Sequence, residues 1–303
     1  MGRIAEALKR AEEERNRNLA EQMAGAVTAE PAPGPGEIAF EDRFGENSAD
    51  SIVEPPAGPR PFIVTAVPIQ PGSIHVSVVA LHEPASITAE RYRSVRTRLL
   101  TSNPSGEPRL HAVTSSLPRE GKTTTAANLA FSLAELRHLR VALLDLDWRQ
   151  RGLELLLGVK GRPGVAEVIR GEHSLAEVCV PLVRSNLHFV PAGELKDATP
   201  TELLSCERGA ALFRELKERF HYALIDTPPV HTVADIGLIA PLCHSTLFVI
   251  RMNVAPEPLV RRCVRMLQAN GTRIAGAVLA GECDETTGGR ETLDFYQAAG
   301  EES

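Results

Sequence analysis

Short apolar runs alternate with amphipathic stretches along most of the chain from about residue 87 onward. Several runs, such as 247–250 and 274–279, are apolar almost without interruption, which is typical of parallel strands covered on both faces. The predicted strands are 110–115, 140–146, 187–191, 222–226, 245–251 and 273–280. The predicted helices are 87–102, 122–137, 163–171, 174–180, 207–219 and 256–270. Strands that alternate with helices predict an α/β domain with a doubly wound, mostly parallel sheet.

The segment before residue 87 has a different pattern. Residues 3–20 are predicted to form a highly charged helix with a thin apolar stripe, which either frays in isolation or docks onto a partner. Proline- and glycine-rich sequence predicts a disordered linker, and the run 75–82 predicts an edge strand at the start of the folded region. The predicted organisation is a charged helix over 1–23, a linker over 24–75, an α/β domain over 76–290 and a flexible tail over 291–303.

Composition narrows the function classes. The formal net charge of −6 argues against general nucleic-acid binding. No run of 18 apolar residues is present, so direct membrane insertion is not expected, and residues 1–10 lack the apolar core of a signal peptide. The five cysteines have no paired metal spacing and do not suggest a disulfide framework. We therefore expect a reduced, cytoplasmic protein.

The stretch 112–128 has the layout of a phosphate-binding loop: an apolar strand, a short loop, then Gly121-Lys122-Thr123 at the start of an alanine-rich helix. Backbone N–H groups and the helix N-terminus of such a loop bind nucleotide phosphates. Lys122 is predicted to reach the terminal phosphates, and the Thr123 hydroxyl to bind Mg²⁺. Ser116 and Arg119 depart from the pattern, which favours glycine at both positions. The candidate nucleotide-binding residues are Pro118, Arg119, Glu120, Gly121, Lys122, Thr123 and Thr124.

Acidic residues end two further predicted strands. Asp145 and Asp147 follow the apolar run 141–144, and Asp226 ends the run 222–225. Because parallel sheets place ligands at the carboxyl ends of their strands, these acids are predicted to face Lys122 and Thr123. Thr123, Asp145, Asp147 and Asp226 are thus the candidate Mg²⁺ ligands. The alternative is that the acids only terminate or cap their strands.

With these motifs placed, residues 77–300 resemble the bacterial tyrosine autokinases of capsule and exopolysaccharide synthesis, which use a P-loop ATPase fold of the Par/Min type. The resemblance rests on residues 115–123 for the phosphate loop, 145–149 for an Asp-x-Asp-x-Arg motif and 224–229 for a third motif. Leu117 stands where the partitioning ATPases carry a signature lysine, which favours the kinase branch.

The resemblance includes a motif for assembly. Glu90, Arg93 and Arg96 match the Glu-x-x-Arg-x-x-Arg motif through which these kinases form rings. At this spacing the three charged groups share one side of a helix, where they are predicted to meet acids of a neighbouring subunit. The alternative is an ordinary solvated charged face.

Three departures from the family pattern bear on function. The family has a C-terminal tyrosine cluster, whereas Tyr296 is the single tyrosine of this tail. Tyr296 is the predicted phosphate acceptor, with a packing contact as its alternative role. Ala280 stands where the family often has an asparagine that recognises adenine, and Arg119 either crowds the phosphate loop or adds a positive charge to it.

The resemblance implies an ATP- and Mg²⁺-dependent protein-tyrosine autokinase that regulates capsular or exopolysaccharide synthesis and export. In this assignment Lys122 holds the phosphates, and Asp226 organises the waters of the metal ion. Asp145 or Asp147 accepts the tyrosyl proton, and Asp145 is favoured. The implied partners are further copies of the chain in a ring and a membrane-integral chain-length or adaptor protein, which would place the kinase at the inner face of the membrane. The alternatives are a nucleotide-switched regulatory ATPase of the Par/Min type and a nucleotide-binding scaffold without turnover.

Overall fold

The computed structural model describes residue 64, residues 66–232 and 235–281, and the backbone of residues 295–296. The predicted N-terminal helix, most of the predicted linker and most of the predicted tail lie outside these residues. In the described part of the chain, no helix is both long enough and apolar enough to cross a membrane.

Eight strands form a single sheet. They are β1 (Arg109–Ser115), β2 (Val141–Asp145), β3 (Val180–Pro181), β4 (Leu187–Val190), β5 (Tyr222–Asp226), β6 (Ser245–Arg251), β7 (Ile274–Ala280) and β8 (Phe295–Tyr296). The strand order is β3-β4-β2-β5-β1-β6-β7-β8. Neighbours from β4 to β7 are parallel, whereas β3 and β8 pair antiparallel at the two edges. The prediction of a doubly wound, mostly parallel sheet is confirmed.

The helices lie between the strands along the chain. They are α1 (Val79–His82), α2 (Ile87–Thr101), α3 (Lys122–Ala134), α4 (Gly152–Leu157), α5 (Val165–Arg170), α6 (Leu175–Val178), α7 (Pro200–Ser205), α8 (Glu207–Arg219), α9 (Ile236–Ile239) and α10 (Glu257–Ala269), with 3-10 turns at Pro71–Ser73 and Ala240–Leu242. Each predicted helix within the described residues is present, with ends that differ by a few residues. The short helices α4, α7 and α9 were not predicted. A capping box, in which Thr199 and Glu202 exchange hydrogen bonds, was an available signal for α7.

Two apolar cores cover the two faces of the sheet. Successive strand residues alternate between them: Leu143 and Leu224 join one core, whereas Leu144 and Ile225 join the other. Helix α3 is buried along its length except at Thr123 and Thr124. Because the helix that follows β1 is almost completely enclosed, its N-terminus is held in a fixed position at the carboxyl edge of the sheet.

The predicted edge strand over 75–82 is wrong, because this segment contains helix α1. Asn128 of α3 accepts a hydrogen bond from the Ala80 N–H at 2.9 Å and donates one to the Ser77 carbonyl at 2.9 Å. Val78 and Ala80 are buried in the core against α3. These tertiary contacts override the strand preference of the valines in this run.

Candidate active site

The phosphate-binding loop connects β1 to α3 and has two residues with positive φ. Arg119 has φ = 67° and Gly121 has φ = 93°, both in the left-handed region. Glycine adopts this conformation without steric cost, whereas another residue loses roughly 1–2 kcal/mol. This explains why the general pattern favours glycine at the position of Arg119. The Arg119 side chain is exposed, so it does not fill the loop.

Glu120 stabilises the loop from beneath. Its side chain is completely buried and accepts hydrogen bonds from the Leu117 N–H at 2.5 Å and from the Arg251 N–H at 3.1 Å. The carboxylate therefore connects the loop to the end of β6. Nucleotide binding by Glu120 stays a prediction, and in the structure its carboxylate contacts the backbone. Pro118 is exposed on the loop, and the Thr124 carbonyl accepts a hydrogen bond from Asn128 within α3.

Lys122 lies between two carboxylates. Its Nζ atom is 2.8 Å from Asp147 Oδ2 and 3.5 Å from Asp226 Oδ1, and all three side chains are buried. Burial alone would lower the pKa of Lys122, but attraction to Asp226 and Asp147 outweighs burial and raises this pKa. The lysine is therefore held as a cation at the first position of α3.

Asp226, at the end of β5, contacts the start of helix α3. The Thr123 hydroxyl donates a hydrogen bond of 2.7 Å to Asp226 Oδ2. Burial raises the pKa of Asp226 to about 6, although Lys122 and Thr123 act in the opposite direction. Asp226 Oδ1 is buried and accepts no close hydrogen bond from the described residues, since its neighbour Lys122 Nζ is 3.5 Å away, so this oxygen can accept a metal ion or its water in place of the lysine.

Asp145 lies directly opposite Asp226, because the two residues are paired in register between β2 and β5. Burial, followed by repulsion from Asp226, raises the pKa of Asp145 well above its ordinary value. Its two oxygens accept hydrogen bonds from the Asp147 N–H at 2.9 Å and the Leu153 N–H at 3.1 Å. Asp145 thus also stabilises the turn that follows β2. Asp145 therefore lies beside the other acids of the site and also caps the turn, so the two predicted roles are compatible.

The donor set fits Mg²⁺ bound together with phosphate. The described residues contain no group of three or more His, Cys, Asp or Glu side chains suited to hold a metal by themselves. The Thr123 hydroxyl and the Asp226 carboxylate instead form an incomplete set of oxygen ligands, and the Lys122 ammonium beside them is suited to bind phosphate oxygens. Mg²⁺ prefers this kind of site, in which one or two protein ligands are supplemented by waters and substrate phosphates.

Helix α2 carries the predicted assembly motif, and its arginines have partners within the same chain. Arg93 forms a bidentate pair with Glu135 at 2.9 and 3.0 Å, and Arg96 lies 2.6 Å from the same carboxylate. Arg96 also donates to the Ser132 carbonyl at 2.7 Å. Glu90, which pairs with Arg93 at 2.9 Å, is 68% exposed. The motif therefore connects α2 to the end of α3, and Glu135 is a site residue that sequence analysis missed.

Comparison with known proteins places the site in a family. A family model described as "AAA domain" matches residues 120–254. The tyrosine-protein kinase Wzc of Salmonella typhimurium is 30% identical over 202 residues, which cover 67% of this chain and 28% of that protein. The kinase domain of VpsO is 32% identical, with a TM-score of 0.58 over 65% of this chain and 96% of that domain. This chain belongs to the bacterial tyrosine kinase family.

A further relative is named for polysaccharide synthesis. The succinoglycan biosynthesis transport protein ExoP of Rhizobium meliloti is 30% identical over 206 residues. These residues cover 67% of this chain and 26% of ExoP. The chain thus spans little more than a quarter of the length of Wzc and ExoP, and its match to the bacterial tyrosine kinases lies in the P-loop domain.

Two of the three tyrosines of this bacterial tyrosine kinase lie in its core. Tyr92 is 7% exposed and Tyr222 is 3% exposed. Tyr296 belongs to β8, where its backbone pairs with Ala277 at the sheet edge. Ala280, the last residue of β7, lies beside the phosphate loop, since a Cβ placed on Gly121 would be 3.8 Å from its Cβ.

The first prediction concerns the contact between α2 and α3. We expect Glu135→Gln to lower the free energy of unfolding by about 1–2 kcal/mol at pH 7, because two partly buried arginines lose their carboxylate. Burial alone would raise the pKa of Glu135, but the hydrogen bonds from Arg93 and Arg96 outweigh burial and lower this pKa. The stabilisation is therefore present above the unfolded-state pKa and disappears as the pH falls through the lower folded-state value. Urea denaturation of both proteins at pH 7 and at about pH 3 measures this difference.

Glu90→Gln is the matched control, because Glu90 is largely exposed. It is expected to change the free energy of unfolding by less than about 0.5 kcal/mol. Equal effects of the two substitutions would contradict the assignment of Glu135 as the central carboxylate.

The second prediction concerns the cost of ionising Asp226. We expect Asp226→Asn to raise the free energy of unfolding, and to do so more at pH 8 than at pH 5. Because burial raises the pKa of Asp226 to about 6, the wild-type protein loses stability as the pH rises from the ordinary aspartate value to that pH. The asparagine variant lacks this loss.

Denaturant unfolding at both pH values measures the effect, and Asp197→Asn on the exposed surface is the control with no expected change. If Asp226→Asn destabilises the protein at pH 8, attraction between Asp226 and Lys122 exceeds the cost of burial.

Proposed function

We propose that this chain is an ATP- and Mg²⁺-dependent protein-tyrosine autokinase that regulates capsular or exopolysaccharide synthesis and export. The observation that supports it most is the cluster at the start of α3, where the buried side chains of Lys122, Asp147 and Asp226 meet the half-buried Thr123. The similarity of the chain to tyrosine kinases supports phosphate transfer as the reaction of this cluster, and its similarity to a succinoglycan biosynthesis transport protein supports the role in polysaccharide synthesis.

Nucleotide binding would replace the present partners of Lys122. Its ammonium group would exchange the carboxylates of Asp147 and Asp226 for phosphate oxygens, which carry a larger negative charge. Thr123 and Asp226 would hold Mg²⁺, directly or through water, together with Asp145 and Asp147. When bound, Mg²⁺ would neutralise charge on the phosphates during transfer. The remaining loop residues would contribute backbone N–H groups.

The proton acceptor is proposed to be Asp145, with Asp147 as the alternative. In the transfer step, the tyrosyl oxygen forms a bond to the γ-phosphorus of ATP, and the bond from that phosphorus to the ADP oxygen breaks. The phenolic proton passes to the carboxylate, and ADP leaves. A base is most effective when its pKa lies near the working pH, and burial moves the pKa of Asp145 in that direction.

Tyr296 is the proposed acceptor, presented in trans to the site of a neighbouring subunit. Its support is partly by elimination, because Tyr92 and Tyr222 are buried in the core. The alternative function, a regulatory ATPase without tyrosine phosphorylation, draws its support from the same scarcity of accessible tyrosines. Measurement of the phosphorylated residue separates the two.

Assembly is proposed to occur at two levels. Copies of the chain would form a ring through α2, where Glu90 is exposed while Arg93 and Arg96 are engaged with Glu135. A membrane-integral chain-length or adaptor protein of polysaccharide export would hold the ring at the inner face of the membrane. The similarity to ExoP, a transport protein by name, supports this choice of partner.

The third prediction tests the activity. Wild-type protein incubated with γ-labelled ATP and Mg²⁺ is expected to become labelled on tyrosine. Tyr296→Phe is expected to lose the label and keep nucleotide binding, whereas Lys122→Met is expected to lose both. Asp145→Asn is expected to bind nucleotide and to transfer phosphate at least about 100-fold more slowly, because a general base typically contributes this much.

Phosphoamino-acid analysis and a nucleotide-binding assay provide the readouts. ATP hydrolysis without protein label would favour the regulatory ATPase. Undiminished turnover in Lys122→Met would overturn the phosphate-loop assignment itself.

The fourth prediction tests the membrane partner. Deletion of residues 1–70 is expected to leave ATP turnover intact and to abolish co-purification with the polysaccharide-export membrane protein. The control is the full-length Lys122→Met variant, which should lose turnover and still co-purify. Unchanged co-purification of the deleted chain would show that the N-terminal region is not the tether.

A further inference from the structure

A cavity lies at the amino-terminal ends of the parallel strands, whereas the phosphate loop lies at their carboxyl ends. Its volume is about 610 Å³, and it is formed by the first residues of β1, β6 and β7 and by the end of α2. Arg109, Ser245 and Ile274 begin these three strands and line the cavity. Since β1 has seven residues at about 3.3 Å each, roughly 20 Å separates this cavity from the phosphate loop.

The cavity is lined by basic side chains and contains no carboxylate among its lining residues. The basic residues are Arg98, Arg109, Arg273, His111 and His244. Arg109 has one acidic partner, Glu107, at 3.1 Å, and Glu107 is itself 60% exposed. The Arg109 Nε atom donates to Asn103 Oδ1 at 3.0 Å, and its guanidinium contacts the imidazole of His244. These contacts fix the guanidinium at the wall of the cavity.

His111 supplies an unused polar atom at the same place. The residue is 3% exposed, and its Nδ1 atom lies 2.8 Å from the Ser245 hydroxyl. Its Nε2 atom is buried and has no hydrogen-bond partner in the described part of the chain. Burial, with repulsion from His244, Arg109 and Arg273, lowers the pKa of His111 to about 3. The ring is therefore neutral, and in the tautomer whose Nδ1 accepts from the Ser245 hydroxyl, Nε2–H is a donor without an acceptor among the described residues.

A buried donor without a partner and a set of neighbouring cations both lower the stability of the protein as it stands. An anion would satisfy both, since arginine guanidinium groups bind phosphate oxygens in a bidentate manner and the imidazole N–H adds a further hydrogen bond. The cavity is also within the size range of small-molecule sites.

We propose that this cavity binds a small phosphorylated molecule, with Arg109, Arg273 and His111 as the donors to its phosphoryl group. The volume accommodates more than a free phosphate ion and is suited to a compound of about the size of a sugar phosphate. This site is separate from the phosphate loop, so the inference does not rest on the proposed kinase activity.

Isothermal titration of the full-length protein tests this proposal. The probes are glucose 1-phosphate and inorganic phosphate, each added in the presence of saturating Mg·ADP, with glucose as the neutral control. We expect saturable binding of the phosphorylated probes and none of glucose, with glucose 1-phosphate the tighter ligand. Equal affinity for glucose 1-phosphate and inorganic phosphate would contradict the proposal that the cavity takes a ligand larger than a phosphate ion. Absence of saturable binding would overturn the proposed site.

Substitutions locate the bound probe. Arg273 is exposed, and Arg273→Gln is expected to weaken binding at least about tenfold by removing a charge-assisted contact. Arg265→Gln, an equal change of charge on the exposed side of α10, should have no effect. Lys122→Met should bind the probe like the wild type. Loss of binding in Lys122→Met with retention in Arg273→Gln would place the probe in the phosphate loop and overturn the proposal.

Nuclear magnetic resonance of the histidine side chains provides a readout that does not depend on the variants. Addition of glucose 1-phosphate to the wild-type protein should shift the Nε2 resonance of His111. An unchanged His111 resonance at a saturating concentration of the probe would contradict its role as a donor.

Discussion

The ammonium group of Lys122 is buried among three carboxylates, and the arrangement of the site depends on this charge. Asp147 contacts it at 2.8 Å and Asp226 at 3.5 Å, while Asp145 lies across from Asp226 in the adjacent strand. Buried acids at such close range repel one another, and they share a site only if a cation compensates them. Lys122 supplies that cation within the protein. The same compensation explains why phosphate and Mg²⁺, which bring both signs of charge, are suitable ligands here.

The fold supplies the position of these groups. Because β2, β5 and β1 are adjacent and parallel, Asp145, Asp226 and the phosphate loop emerge at one edge of the sheet. Burial of α3 on nearly all sides then fixes Lys122 and Thr123 at its N-terminus. At the other end of α3, Glu135 holds Arg93 and Arg96 of α2. The motif that resembles a ring interface thus forms a contact within the chain, between α2 and the helix that carries Lys122.

Local patterns predicted most of the fold and the proximity of the strand-end acids to Lys122. Apolar runs identified the strands from β1 to β7 apart from the two-residue β3, and the acids that follow them were placed near Lys122 correctly. The errors come from contacts distant in sequence. The run 75–82 has a strand preference, but Asn128 and the core against α3 make it helical. Glu135 lies some 40 residues from its arginines, and the basic cavity joins residues from α2, β1, β6 and β7. No local periodicity could reveal such groupings.

When nucleotide binds, Lys122 is expected to change its partners from carboxylates to phosphates. A crystal structure with Mg²⁺ and a non-hydrolysable ATP analogue tests it most directly. In that structure Lys122 Nζ is expected to leave Asp147 and to contact the terminal phosphates, and the Thr123 hydroxyl to exchange Asp226 for the metal. Bound nucleotide with the pair between Lys122 and Asp147 still at 2.8 Å would show that the lysine does not make this exchange.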